Sequence, residues 1–217
     1  MTPLVAQGLH RFYRRGGNEV AALLDVSIRC EAGETVAVTG PSGSGKSTLL
    51  ALLAGLDDPD GGSVHVAGER LSHQSPAASA RLRARHVGVL TQSSGLLGHL
   101  DVLENVRFAA SFRSGAGLRP EELLDALGLS AVRRSTTRTL SGGETARAGL
   151  AVALAGAPTV LLADEPTAEV SSDEEDTILG LLQRWRPRDG ATVIVTHSAA
   201  VAAHADRIVH LTDGRAA

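Results

Sequence analysis

The stretch GPSGSGKS at residues 40–47 contains Lys46, the only lysine in the chain; every other basic side chain is an arginine. Arginine presents a planar fork, whereas lysine is a compact point charge on a flexible stem. A single ammonium among glycines and serines points to a narrow anionic ligand. The spacing satisfies G-x-x-x-x-G-K-[ST], a phosphate-binding loop that needs a strand before it and a helix after it. Gly40, Gly43 and Gly45 let the backbone fold tightly, so that residues 40–48, with Pro41, Ser42, Ser44 and Thr48 among them, form a loop whose N–H groups, which Pro41 alone lacks, wrap phosphate oxygens. The following helix adds its positive N-terminal end. Lys46 then reaches the β- and γ-phosphates, and the Ser47 hydroxyl ligates Mg²⁺.

A second group of candidates closes the apolar run TVLLADEP, where Asp164 precedes Glu165. Asp164 at a strand end near the loop can hold Mg²⁺ through water, and Glu165 can take a proton from an attacking water as general base. Paired acids also occur as plain solvated strand ends; the phosphate loop earlier in the chain favours the chemical reading. Guanine-reading N/T-K-x-D needs a second lysine, which this chain lacks, and this argues against a GTPase of that type. Adenine can be held by stacking instead. Tyr13 is the candidate, with a lone surface aromatic as the alternative.

These groups must be carried by a scaffold, and the sequence pattern describes one. EVAALLDVSIRCEAGETVAVTG reads as short strands broken by the turn EAGE, and TVAVTG runs directly into the glycine loop. KSTLLALLAGL has helical spacing and stops at DDPDGG. GSVHVAG and HVGVLTQ read as strands, with PAASARLRAR as a helix between them. From about 95 to 155 the pattern turns helical, in LDVLENVRFAASF, PEELLDALGL and GGETARAGLAVALAG, with the loop RSGAGLRP dividing the first two. Strand and helix then alternate through TVLLAD, SDEEDTILGLLQRW, ATVIVTH and RIVHLTDG. This alternation predicts an α/β core around a mostly parallel sheet, interrupted by a helical insertion. Phe108 and Phe112, at i and i+4, are expected to face the core of that insertion.

Composition sets the remaining bounds. Hydrophobic residues make up 43% and charged residues 21%, which is ordinary for a globular chain. A net charge of −3 gives no electrostatic case for nucleic acid, and RLRARH (81–86) lacks the aromatics a nucleic-acid patch would use. The lone Cys30 excludes an internal disulfide and suits a reducing compartment. The N-terminus shows no signal-peptide pattern, and AGLAVALAGAPTVLLA is too short for a membrane span. The chain is read as soluble by itself, so any membrane role must come through a partner. The histidines show no metal-ligand spacing, and His204 and His210 read as surface residues.

LSGGE at 140–144 completes the pattern. Placed after the phosphate loop and before the TVLLADE strand, it makes the whole chain resemble the nucleotide-binding subunits of ABC transporters. LLGHLDVLENV and the compact length look most like the MacB/LolD/FtsE branch. The resemblance implies a P-loop NTPase (RecA-like) fold over 1–217 with an N-terminal antiparallel β subdomain. The nucleotide-binding core would span roughly 1–94 and 156–217, and a helical subdomain at 95–155 would carry LSGG. It implies ATP and Mg²⁺ as ligands, with Lys46, Glu165 and His197 catalytic and Tyr13 stacked on adenine. Gln92 would touch Mg²⁺ with Ser47 and Asp164, and would couple to a membrane-spanning permease subunit. Ser141, Gly142 and Gly143 would cap the ATP of a second copy, in a head-to-tail dimer that ATP closes and hydrolysis opens. The expected location is cytoplasmic, peripheral to the inner face of the cell membrane, with no nucleic acid bound. The alternatives are an ATP-dependent scaffolding subunit that moves no solute, as in a division complex, and an ABC-type protein acting on DNA or ribosomes. Three positions depart from the family pattern: Glu144 replaces a glutamine, Val152 replaces an arginine, and Ser171 stands where an aspartate is expected.

Overall fold

The structure is a computed structural model that describes residues 1–16, 18–112 and 117–216. Its antiparallel sheet is built from β1 (Leu4–Arg15), β2 (Asn18–Cys30), β4 (Gly61–Val66) and β5 (Glu69–Arg70), in the order β2-β1-β4-β5. Sequence reading breaks the N-terminal region into short strands, but β2 alone runs for 13 residues. It stays paired with β1 from Leu4↔Cys30 to Arg15↔Asn18 through several register shifts. Those shifts blur the alternation of buried and exposed residues, which is why a strict period-2 pattern hides the length of the hairpin.

The second sheet contains β3 (Thr35–Thr39), β6 (Val87–Leu90), β7 (Val160–Asp164), β8 (Ala191–Val195), β9 (Arg207–Thr212) and β10 (Arg215–Ala216). Its order is β10-β9-β3-β8-β7-β6, parallel except for the terminal β9–β10 pair. TVAVT, VLLAD and ATVIV are buried nearly throughout, as expected for parallel strands covered on both faces. The register Val38↔Val195 and Asp164↔Val195 aligns the C-terminal ends of β3, β8 and β7 side by side. Ligands of such sheets bind at those ends.

Helices α1 (Lys46–Leu53) and α2 (Pro76–His86) follow in chain order. The insertion supplies α3 (Val102–Ser111), α4 (Pro120–Ala126) and α5 (Gly142–Leu154); α6 (Ser172–Arg184) and α7 (Ala199–Ala202) complete the chain. One core cluster packs α1 between the two sheets. The other packs α3 to α6 on the opposite side of the parallel sheet through Leu103, Leu124, Leu150 and Ile178. Of the loop RSGAGLRP, residues 113–116 lie outside the described residues.

Phe108 and Phe112 do not face the core: they are 49% and 61% exposed and pack edge-to-face on each other with centroids 4.9 Å apart. The phase of α3 is set instead by Asn105, whose buried amide bonds Leu97 N–H and the carbonyls of Leu97, Leu100 and Asp101. Burying that polar side chain with its partners turns Val102, Leu103 and Val106 inward and both phenylalanines out. In RLRARH, Arg83 donates to Gly55 O at 2.9 Å and Arg85 pairs with Glu69 at 3.4 Å, so both arginines are engaged within the fold. Cys30 is buried, which pushes its thiol up to about 12. Among the described residues no helix is long and apolar enough to cross a membrane.

Candidate active site

The ends of β3, β7 and β8 open into a cleft of about 430 Å³. The phosphate loop forms its floor. Gly40, Gly43 and Gly45 all have positive φ. A Cβ on Gly40 would stand 2.0 Å from Leu211 O, and one on Gly45 would stand 2.4 Å from Ala22 O. Both neighbours are backbone, so no side chain fits at either position. Gly45 caps α1 without any side-chain cap, and the first turn carries no acid, leaving those N–H groups open to an anion.

Ser42, Gly43, Gly45, Lys46, Ser47 and Thr48 line the cleft. Gly40, Pro41 and Ser44 form the back of the loop instead. Lys46 Nζ curls over the loop, donating to Gly40 O at 2.8 Å and Pro41 O at 2.9 Å. Ser44 is buried, and its carbonyl accepts from Gly214 N at 3.1 Å, which ties the loop to the β9–β10 turn.

Asp164, Gln92, Glu165 and His197 line the opposite wall. Burial, and then the charge of Glu165, raises the Asp164 pKa above its ordinary value, and Lys46 only partly opposes this. Asp164 is thus a carboxylate short of positive charge. Glu165 takes a left-handed backbone, φ 45°, and its N–H donates to Val195 O at 2.9 Å. Its Oε2 accepts from Thr196 Oγ1 at 2.9 Å, and its Oε1 accepts from His197 N at 2.9 Å and lies 2.6 Å from His197 Nδ1. An ionised carboxylate only accepts, so the imidazole paired with it carries its proton on Nδ1. The Glu165 carboxylate is held from three directions at the cleft mouth.

Tyr13 stands at the far end of the cleft, 40% exposed, beside Val20, Ala21 and Ala22. Its hydroxyl donates to Asp57 Oδ2 at 3.1 Å, and the Arg11 guanidinium lies 4.8 Å from the ring centroid. Arg11 in turn grips Asp57 through two nitrogens, at 2.8 and 2.9 Å. Sequence reading missed Arg11 and Asp57, because contacts across 44 to 46 positions leave no local signal, and missed the Val20–Ala22 wall, because the register shifts of the β1–β2 hairpin hide that Val20 pairs with Tyr13.

Ser141 and Gly143 do not reach this cleft. Ser141 begins α5 in a reciprocal capping box with Glu144, one of the three residues that depart from the family pattern. Gly142 lines a narrow crevice shared with Gln92 and Glu165. Gly143 N donates to Glu174 on α6 at 3.1 Å. Val152 packs against the helical core. Ser171 sits at the N-cap position of α6, exposed and without a side-chain cap bond.

The ABC transporter family model matches residues 23–168. The macrolide export ATP-binding/permease protein MacB of Salmonella typhimurium is 41% identical over 209 residues, which cover 94% of this chain and 32% of that protein. The chain thus spans about a third of the length of the MacB relatives it matches. The lipoprotein-releasing system ATP-binding protein LolD of Chromohalobacter salexigens is 40% identical over 217 residues, covering 98% of this chain and 92% of the relative. A dimeric post-hydrolysis structure of the ATP-binding cassette MJ0796, bound to ADP and Pi, superposes with a TM-score of 0.90 at 31% identity, covering 98% and 96% of the two chains. With the phosphate loop, the paired acids and the LSGG helix all in place, the chain belongs to the ABC transporter family, as one of its ATPase cassettes.

Proposed function

We propose that this cassette hydrolyses Mg·ATP between two head-to-tail copies and uses the resulting closure and opening to drive a membrane-spanning permease. The observation that carries the reading is the Glu165 carboxylate, fixed by Thr196 and His197 in the same cleft as Lys46. The phosphate loop and the open N-terminus of α1 bind the phosphates, and Tyr13 stacks on adenine. Lys46 exchanges its two loop carbonyls for β- and γ-phosphate oxygens. Glu165 takes the proton of the attacking water, and His197 keeps the carboxylate aimed and reaches the γ-phosphate.

Ser47, Gln92 and Asp164 line one cleft and offer only oxygen donors, which suits a hard cation held by few protein ligands. Burial and the neighbouring charge of Glu165 raise the Asp164 pKa, and a cation beside it would oppose both effects. Bound there, Mg²⁺ would neutralise the charge of the β- and γ-phosphates. Ser141, Gly142 and Gly143 lie outside their own chain's cleft, which supports their closing over the ATP of a second copy. The likeness to LolD and MacB supports a location at the cytoplasmic membrane face, with residues 95–155 as the helical part of a single ATP-binding unit.

The test of the transport reading is copurification from solubilised membranes. A permease that stimulates the ATPase of the cassette supports it. A partner without substrate-dependent stimulation would favour the scaffolding alternative.

A further inference from the structure

Ser141 and Gly142 are exposed, but Gly143 is buried, and the group that covers it belongs to the same chain. Glu174, in the first turn of α6, places Oε2 3.1 Å from Gly143 N and Oε1 3.4 Å from Arg147 Nη1, one turn further along α5. The approach is so close that a Cβ at position 143 would stand 1.9 Å from Oε1. A helix N-terminus attracts an anion, and here the fold supplies one of its own.

We propose that Glu174 is a built-in competitor for the partner copy's phosphate at Gly143, and that it sets the ATP level at which two copies close. This rests on the sandwich reading above. A carboxylate oxygen and a phosphate oxygen cannot both take the Gly143 N–H, so closure must exchange one anion for the other. The exchange needs only a side-chain swing. The backbone of Glu174 stays anchored through its N–H to Ser171 O at 3.0 Å, and its neighbour Glu175 is held by Thr167. Arg147 offers the displaced carboxylate a second seat: its Nε is buried and has no hydrogen-bond partner among the described residues. Glu174 now bridges Gly143 N–H and Arg147 Nη1; turning it onto the unpartnered Arg147 Nε would release the Gly143 N–H and keep the carboxylate paired.

The experiment titrates ATP against the full-length chain carrying Glu165→Gln and follows the dimer by sedimentation velocity. A hydrogen bond to a charged group is strong enough to shift such an equilibrium about tenfold. Adding Glu174→Ala is expected to lower the half-closing ATP concentration about tenfold, and adding Glu174→Gln to lower it by less. A merely structural tie between α5 and α6 predicts the opposite, an unchanged or higher threshold with a lower melting temperature. If Glu165→Gln closes with ATP while neither Glu174 variant lowers the threshold, the proposal is overturned and the sandwich stands. If no variant closes at any ATP concentration, the sandwich reading fails and the proposal falls with it.

Discussion

Glu165 Oε1 lies 2.6 Å from Nδ1 of His197 and also accepts the His197 backbone N–H at 2.9 Å. Two residues 32 positions apart meet because β7 and β8 are parallel neighbours whose register pairs Asp164 with Val195. The imidazole is therefore a brace for Glu165, which in the proposed mechanism is the general base, with His197 reaching the γ-phosphate.

This relationship makes the first prediction. General bases contribute roughly 10²–10⁴ in rate, so Glu165→Gln should lower kcat by about that factor while ATP still binds. His197→Ala keeps the carboxylate but removes its brace, and misplacement of reacting groups by about 1 Å costs about 100-fold. Steady-state ATPase assays check both. Near-wild-type turnover in Glu165→Gln would remove Glu165 from its role.

Tyr13 should dominate base recognition. Stacking on an aromatic ring contributes about 1–3 kcal/mol, so Tyr13→Ala should weaken ATP binding about tenfold and Tyr13→Trp should preserve it. Tyr13→Phe keeps the ring but releases Asp57, and should fall between them. Isothermal titration calorimetry decides, and an unchanged affinity in Tyr13→Ala would place the adenine elsewhere.

Asp164 predicts a pH dependence. Its pKa is raised in the fold, so the native state binds its proton more readily than the unfolded chain does. Well above that raised pKa both states are ionised and the fold carries the full cost. As pH falls through the folded pKa toward the ordinary value of 3.8, that cost is relieved. Asp164→Asn should therefore raise the melting temperature of the nucleotide-free protein at pH 7, and the gain should shrink on acidification. The same variant should lose Mg²⁺-dependent hydrolysis. A lower melting temperature at pH 7 would contradict the uncompensated carboxylate.

The phosphate loop, Asp164, Glu165, Gln92 and His197 were legible because each stands at or just after a strand end, and strand ends converge in a parallel sheet. Apolar runs such as TVAVT and VLLAD carry that information locally. The inward phase of α3 was not legible, since Val102, Leu103 and Val106 compete with Phe108 and Phe112 for the core, and what decides is the set of bonds Asn105 makes to the preceding loop at Leu97, Leu100 and Asp101, which has no periodic signature. Nor was the support of Tyr13 by Asp57, or the cover of Gly143 by Glu174, because both join distant segments through polar side chains with no periodic signature.

Ser171 should make basal hydrolysis slow. It stands where the family pattern leads one to expect an aspartate, and its side chain does not cap α6. Ser171→Asp adds a carboxylate at the proposed dimer seam and an N-cap, so it should raise both turnover and melting temperature. Asp173, exposed in the first turn of α6, is the other carboxylate able to serve. Comparing ATPase rates at saturating Mg·ATP separates them. A gain in Ser171→Asp with no loss in Asp173→Ala supports the assignment, and a collapse in Asp173→Ala with Ser171→Asp indifferent transfers the role to Asp173.

The central claim is that two copies close over ATP, each capping the other's nucleotide with Ser141, Gly142 and Gly143. Sedimentation velocity of Glu165→Gln with saturating Mg·ATP tests it most directly. The expected result is a dimer that forms with ATP, is absent with ADP, and is lost when Ser141→Arg is added. A monomer at every ATP concentration, in a protein that calorimetry shows to be ATP-loaded, would contradict it.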